Sequence, residues 1–421
     1  MIIHKINIKN FKGFEQKEIP LNEHFTIAVG SNASGKTTLL KALEISLGEY
    51  LQCLPLPKGE SIHKRQFSQS DRFVKWSTEL LDYLPKEENP KIEVNGSFLG
   101  KQIEWTREMV GRITTHNTKL AGKLIKAVDE LIAKRKKGEN VIMPIVATYG
   151  IERTVSQLRK GKVKSKMRSR MEKAFLGALK DTVDFEGVID WLHDYDNELK
   201  YNREFIGTRE ALFEAIQKAI PYLEDISYNT RYEQLEAVVN VEEKYHGKKL
   251  HNNMSDGFKA MLNIVAELAY RCVVLNGFKG KDAVKETPGV VLIDELDMHL
   301  HPNWQRHVVD DLKNAFPKIQ FIATTHSPFI TQSLSADGII NLDEPKDIDP
   351  SKMRVDEVAT SVMGVDSAYS KDNEELYQKA KVILKSIKEN ASPDEIKEEI
   401  NKVHDPAVRA FLELNKMANG K

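Results

Sequence analysis

The chain has 421 residues, with 62 Lys plus Arg against 62 Asp plus Glu, and 41% of its residues are hydrophobic. That is the make-up of an ordinary globular protein with room for roughly two or three domains, and it excludes a chain-wide basic surface for nucleic acid or lipid. Cys53 and Cys272 stand far apart without metal-ligand spacing, no apolar run reaches the length of a membrane span, and the N-terminus lacks a signal peptide's apolar core; together these predict a reduced, cytoplasmic setting.

In chain order, residues 1–8 alternate in the manner of a strand, and residues 24–29 form a short apolar run suited to a buried strand. Residues 30–37 then read Gly-Ser-Asn-Ala-Ser-Gly-Lys-Thr, which has the form G-x-x-x-x-G-K-[ST]. In such a loop Gly30 and Gly35 let backbone N–H groups turn inward around phosphate oxygens. Lys36 reaches the β- and γ-phosphates, and Thr37 offers its hydroxyl to Mg²⁺. Residues 37–47 are helical in pattern, so the loop sits at a helix N-terminus, where the dipole favours anions. The expected nucleotide-binding set is Gly30, Ser31, Asn32, Ala33, Ser34, Gly35, Lys36, Thr37 and Thr38.

Further on, residues 118–137 are charged and helical in character, and residues 144–150 form another apolar run. A basic stretch comes next: Arg159, Lys160, Lys162, Lys164, Lys166, Arg168 and Arg170, with no acid among them. It is either a solvated loop or a grip on nucleic-acid phosphates, DNA or structured RNA, that reads no sequence. Phe185, Val188, Ile189, Leu192 and Tyr195 mark an amphipathic helix. Ser255-Asp256-Gly257 opens a longer one, since Phe258, Met261, Leu262, Val265, Leu268, Ala269 and Cys272 recur at helical spacing; Ser255 there is a helix cap or an anion-binding group.

The run Val290-Val291-Leu292-Ile293 suits a central parallel strand, and it ends in Asp294-Glu295. Asp294 would emerge at the strand's C-terminal end and share Mg²⁺ with Thr37 and phosphates, while Glu295 suits a general base. Residues 319–325 form another strand ending at His326, which suits a hydrogen bond to phosphate or to attacking water. In the tail, Ser392-Pro393-Asp394-Glu395 reads as a helix start.

The order of these motifs resembles the ABC-type ATPase head, and more narrowly the RecF/SMC/OLD group. The opening Ile6-Asn7-Ile8-Lys9-Asn10-Phe11-Lys12-Gly13-Phe14 is similar to that group's start, as is the run from Asp294 to Gln305. The resemblance implies an α/β fold: a mostly parallel P-loop sheet with antiparallel N-terminal strands and an inserted helical lobe. It implies ATP and Mg²⁺ as ligands, and Glu295 and His326 as catalytic residues, His326 standing for the switch histidine. Ser255, Asp256 and Gly257 stand for the signature motif, acting on ATP held by another subunit of a homodimer or higher homo-oligomer. His299, Leu300 and His301 fall in the D-loop, with His301 where the group usually has aspartate. The glutamine expected after the strand at 144–150 has no clear counterpart; Gln157 is a weak candidate for the Mg²⁺ shell.

The head would comprise residues 1–45, 141–153 and 250–345, with a helical lobe at 46–140 and 154–249 carrying the basic loop, and a helical tail at 346–421. No sustained heptads predict long coiled-coil arms, and no nuclease motif is evident. In size and motif wording the chain resembles stand-alone ATPases of bacterial anti-phage defence of the Septu PtuA type, which work with a separate HNH nuclease. The other reading is a RecF-like repair or DNA-loading ATPase; a transporter ATPase is disfavoured by the wording around Asp294.

Overall fold

The computed structural model describes residues 1–56, 66–79, 81–85, 88–110, 120–151, 169–241, 245–343, 348–367, 374, 400, 409 and 412–413. The chain divides into two compact units, Met1–Val358 and Ala359–Lys421. The expected helix start at Ser392 lies outside the described residues. No helix among the described residues is long and apolar enough to cross a membrane.

Among its described residues the first unit has fourteen strands: β1 Ile2–Phe11, β2 Phe14–Pro20, β3 Phe25–Val29, β4 Val74–Ser77, β5 Asp82–Pro85, β6 Lys91–Phe98, β7 Lys101–Glu108, β8 Ile145–Tyr149, β9 Leu223–Asn229, β10 Gln234–Val241, β11 Tyr245–Leu250, β12 Gly289–Ile293, β13 Ile319–Thr324 and β14 Ile339–Asn341. The principal sheet has the order β14-β3-β13-β12-β8, and every neighbouring pair in it is parallel. β3, β8, β12 and β13 are buried at every position, the signature of parallel strands covered on both faces. Because all five run one way, their C-terminal ends share one edge, where ligands collect in open α/β sheets.

A second, antiparallel sheet, β2-β1-β6-β7, adjoins it. Gln320 of β13 joins the two: buried among apolar neighbours, it accepts from Ile3 N at 2.8 Å and donates to Ile3 O at 2.7 Å and to Asn22 O at 2.8 Å. A buried amide is tolerable only when its groups are matched in this way.

The stretches expected to be a helical lobe hold strands beside their helices. Residues 46–140 contain β4–β7, with β6 and β7 extending the N-terminal sheet, and β9–β11 form an antiparallel meander across 223–250. The reason is period: in β6 Ile92, Val94, Gly96 and Phe98 face inward and their neighbours outward, a two-residue alternation too short to stand out beside helical repeats. Gly96 is required there, since a Cβ would strike the carbonyl of Ile2 on β1.

Among the described residues the helices are α1 Lys36–Cys53, α2 Gly122–Lys136, α3 Arg170–Phe175, α4 Phe185–Tyr201, α5 Thr208–Ala219, α6 Asp256–Asn276, α7 Ala283–Glu286, α8 Pro302–Gln305, α9 Val308–Ala315, α10 Pro328–Gln332 and α11 Val355–Glu357. α1 continues past the sequence-predicted 47 because Glu49 is buried against Arg107 of β7, with the ion pair at 2.7 Å. α6 is the central helix: every residue from Ala260 to Asn276 is buried. Polar side chains buried along it at four-residue intervals, Asn263, Glu267 and Arg271, find partners. Asn263 meets His251 Nε2 at 2.8 Å, and Glu267 pairs with Arg271 at 2.6 Å. Arg271 also donates to Ala174 O and Leu176 O, and Glu267 accepts from Asp184 N. α6 is thereby bound to the segment that lies beside β8, where Thr148 N and Gly150 N donate to Ala178 O and Asp181 O. Burial pushes the Glu267 carboxyl up, and Arg271 opposes this. Glu267→Ala would leave the guanidinium buried and uncompensated, so thermal or denaturant unfolding should show a loss of about 3–5 kcal/mol.

Candidate nucleotide site

The phosphate loop, Gly30 to Lys36, leaves the end of β3 and enters α1. Gly30, Ala33 and Gly35 have φ of 149°, 70° and 103°. Gly35 has a further constraint, because a Cβ there would run into the Phe14 ring of β2. Lys36 is buried, and its Nζ donates to Gly30 O at 2.7 Å and Ser31 O at 2.9 Å. Burial draws its ammonium below the ordinary lysine value, while the carboxylates of Asp343, Asp294, Glu295 and Asp297 favour the charged form. The loop thus offers a desolvated cation and the N–H groups of a helix start, a fitting receptor for a polyphosphate.

The neighbouring strand ends bring the other groups to the same edge. Asp294 follows β12 directly; one carboxylate oxygen accepts from Thr324 Oγ1 at 2.5 Å and the other from Thr37 Oγ1 at 3.5 Å. Thr324, the last residue of β13, also accepts from Glu295 N at 2.8 Å, so one hydroxyl fixes both acidic residues. Glu295 adopts φ of 49°, a left-handed turn that breaks off the strand at the site rim. Asp297 Oδ1 accepts from Thr325 Oγ1 at 2.6 Å and from His326 N at 3.1 Å, which holds the start of the His326 loop against the end of β12. Gln305 closes the arrangement, donating to Leu300 O at 2.8 Å and accepting from Ser327 Oγ at 2.7 Å.

This donor set fits ATP with Mg²⁺. Thr37 and Asp294 present hard oxygens side by side, which suits an ion that keeps most of its remaining positions for phosphate and water. Among the described residues no group of three or more His, Cys, Asp or Glu is arranged to hold a metal ion by itself. Bound Mg²⁺ would supply charge neutralisation at the phosphates.

Ser255, Asp256 and Gly257 stand at the start of α6, and Ser255 is exposed with no side-chain cap bond, so its hydroxyl is not used to finish its own helix. Asp256 lies 3.8 Å from Lys259. Gly257 abuts the carbonyl of His299, which has φ of 65°; any Cβ there would collide with it. His299 and His301 are exposed and Leu300 is buried. His301, at the position where aspartate was expected, does an aspartate's local work: its Nδ1 accepts from Asn303 N at 3.3 Å and caps α8. The Phe258 and Trp304 rings pack in a tilted arrangement with centroids 5.3 Å apart, and Tyr222 lies edge-on 5.5 Å from Trp304, so the start of α6 and the loop at 299–301 form one packed block. Gln157 lies outside the described residues, as do Arg159, Lys160, Lys162, Lys164, Lys166 and Arg168. Of the basic stretch Arg170 alone is described, and its guanidinium covers the Phe205 ring at 3.8 Å.

Asp297, Thr324, Gln305 and Asp343 were not singled out in the sequence. Asp297 lies only three residues beyond Asp294; the others act across segments remote in the chain.

The profile of the family described as "AAA domain, putative AbiEii toxin, Type IV TA system" matches residues 25–331, a span that holds the phosphate loop, Ser255, Asp294 and His326. The chain belongs to this family. It is similar to a protein named "Retron Vc95 probable ATPase" from Vibrio cholerae serotype O1 biovar El Tor, at 26% identity over 403 residues, covering 81% of this chain and 73% of that one. It is 35% identical over 141 residues to "Septu protein PtuA" from Bacillus thuringiensis, covering 30% of this chain and 35% of that one. Among solved structures, "Crystal structure of the SmcHead bound to the C-winged helix domain of ScpA" covers 80% of this chain and 93% of its own at a TM-score of 0.46 and 18% identity.

Proposed function

We propose that the chain is an ATP-binding and ATP-hydrolysing switch of a bacterial anti-phage system. In this reading Gly30–Thr38 hold the triphosphate, Thr37 and Asp294 hold Mg²⁺, Glu295 is the base for water, and His326 contacts the γ-phosphate or that water. Ser255, Asp256 and Gly257, with the loop His299 to His301, act on ATP held by a second copy, so that a homodimer encloses two nucleotides and parts after hydrolysis. A separate nuclease of HNH type is the effector, and ATP shifts the equilibrium between closed and open forms through its differential affinity for them. The relatives named retron probable ATPase and Septu protein PtuA support the placement in such a system. Nucleic acid as the sensed ligand rests on the basic stretch alone.

One observation carries the ATPase reading: Thr324 Oγ1 bonds both Asp294 and Glu295, holding one carboxylate toward Thr37 and turning the next out at the rim. Two acidic residues so placed can serve as metal ligand and base. Purified chain should turn over ATP only with Mg²⁺, with chelation lowering the rate roughly 100-fold or more. The co-purified nuclease should cut differently in ATP and in ADP. A nuclease indifferent to the nucleotide would remove the switch from this proposal.

A further inference from the structure

Asp343 lies beyond β14, far from the loop at 30–37 in sequence, yet its carboxylate is fastened to that loop. Oδ2 accepts from Ser31 N at 2.6 Å and Oδ1 from Ser31 Oγ at 2.9 Å. The residue is held where it can do this. β14 pairs with β3 through Asn341 and Val29, Leu342 N donates to Val29 O at 3.0 Å, and Leu342 is buried. Lys17 Nζ donates to Leu342 O at 3.0 Å, and Asp343 N donates to Asn341 Oδ1 at 3.0 Å. The backbone of Asp343 is therefore set by the same strand end from which the phosphate loop departs. Gly30 leaves room for it: a Cβ at Gly30 would lie 3.3 Å from Asp343 Oδ2 and strike Ser34.

The bonds connect onward. The Gly30–Ser31 peptide unit, whose N–H Asp343 grips, carries Gly30 O, and Ser31 carries the next carbonyl. These are the two carbonyls that hold Lys36 Nζ. A carboxylate outside the loop thus fixes the peptides that orient the loop's cation inside it. We propose that Asp343 is a positioning residue for the nucleotide reaction, which holds the first turn of the phosphate loop, through Ser31, in the form that aims Lys36 at a triphosphate. This inference rests on the reading of Gly30–Thr38 as the ATP site.

Charge alone predicts the opposite behaviour, which makes the inference testable. A carboxylate beside incoming phosphates repels them, so if Asp343 acted only through its charge, removing that charge would tighten ATP binding. If it acts by holding Ser31, D343A loses both bonds, whereas in D343N the amide oxygen still accepts from Ser31 N and the amide nitrogen donates to Ser31 Oγ. Hydrogen bonds to a charged group are worth about 1.5–3 kcal/mol, so D343A should raise KM for ATP about 10- to 100-fold with kcat within about threefold, and D343N should stay within about fivefold of the unaltered chain in KM. S31A, which keeps the backbone N–H, should fall between them. Equilibrium binding of a non-hydrolysable ATP analogue should follow the same order, and circular dichroism establishes that each variant is folded. Unchanged or tightened binding in D343A, or D343N as weak as D343A, would overturn the assignment. K36A run in parallel separates the two claims: if K36A weakens ATP binding and D343A does not alter it, only the role of Asp343 falls; if the unaltered chain binds no ATP, the site itself falls.

Discussion

Glu295→Gln is expected to leave ATP affinity within about threefold while lowering turnover roughly 10²- to 10⁴-fold, the range that a positioned general base contributes. The substitution isolates the chemistry because Glu295 is placed by its backbone. Its N–H is held by Thr324 Oγ1 and its φ is 49°, and neither depends on a carboxylate at the end of the side chain. Glutamine matches the shape and can still hydrogen-bond water, but it cannot take a proton at neutral pH. With hydrolysis stopped and binding intact, the ATP-bound form accumulates. Sedimentation or light scattering should then show twice the monomer mass in ATP and not in its absence. Turnover close to that of the unaltered protein would strip Glu295 of its role.

The second large effect is at Lys36. Removing its ammonium deletes charge-assisted bonds to phosphate worth about 1.5–3 kcal/mol each. It also frees Gly30 O and Ser31 O, the carbonyls that now face the ammonium. Lys36→Ala should therefore weaken ATP binding roughly 30-fold to 1,000-fold by titration calorimetry. The fold should survive, since alanine is the best helix former and position 36 opens α1. An affinity retained within a few-fold would remove the loop from the mechanism.

The placing of Lys36, Asp294 and His326 at one sheet edge is legible in the sequence: Lys36 from its loop motif, the other two from the short apolar runs they follow, since parallel strands deliver the residues at their C-terminal ends to a common edge. By sequence Thr324 is part of a strand and no more, and its part in the site shows only when Asp294 and Glu295 are seen one strand away. Asp343 acts on Ser31 across 312 positions, a pairing that no local pattern encodes. His301 stands in the sequence as a departure from the expected aspartate; in place it caps α8 through Nδ1, so two different side chains meet one backbone requirement. The strand β6 is not legible in the sequence because it takes its place by pairing with β1, a contact made between distant segments, and β7 then follows as the hairpin partner of β6. Ser255 illustrates the converse. Capping was the simpler local expectation, and its hydroxyl is exposed and makes no cap bond.

That exposed serine makes the most direct test possible. A chain carrying Lys36→Ala and a chain carrying Ser255→Arg, co-expressed with different tags and purified through both, yield a mixed dimer. If each site takes its phosphate loop from one copy and its serine from the other, one of the two sites in that dimer is whole. Each variant alone should be inactive, and the mixed dimer should regain turnover, to about half that of the unaltered dimer. A mixed dimer as inactive as its parents, or a Ser255→Arg chain as active as the unaltered protein, would contradict a site shared between two copies.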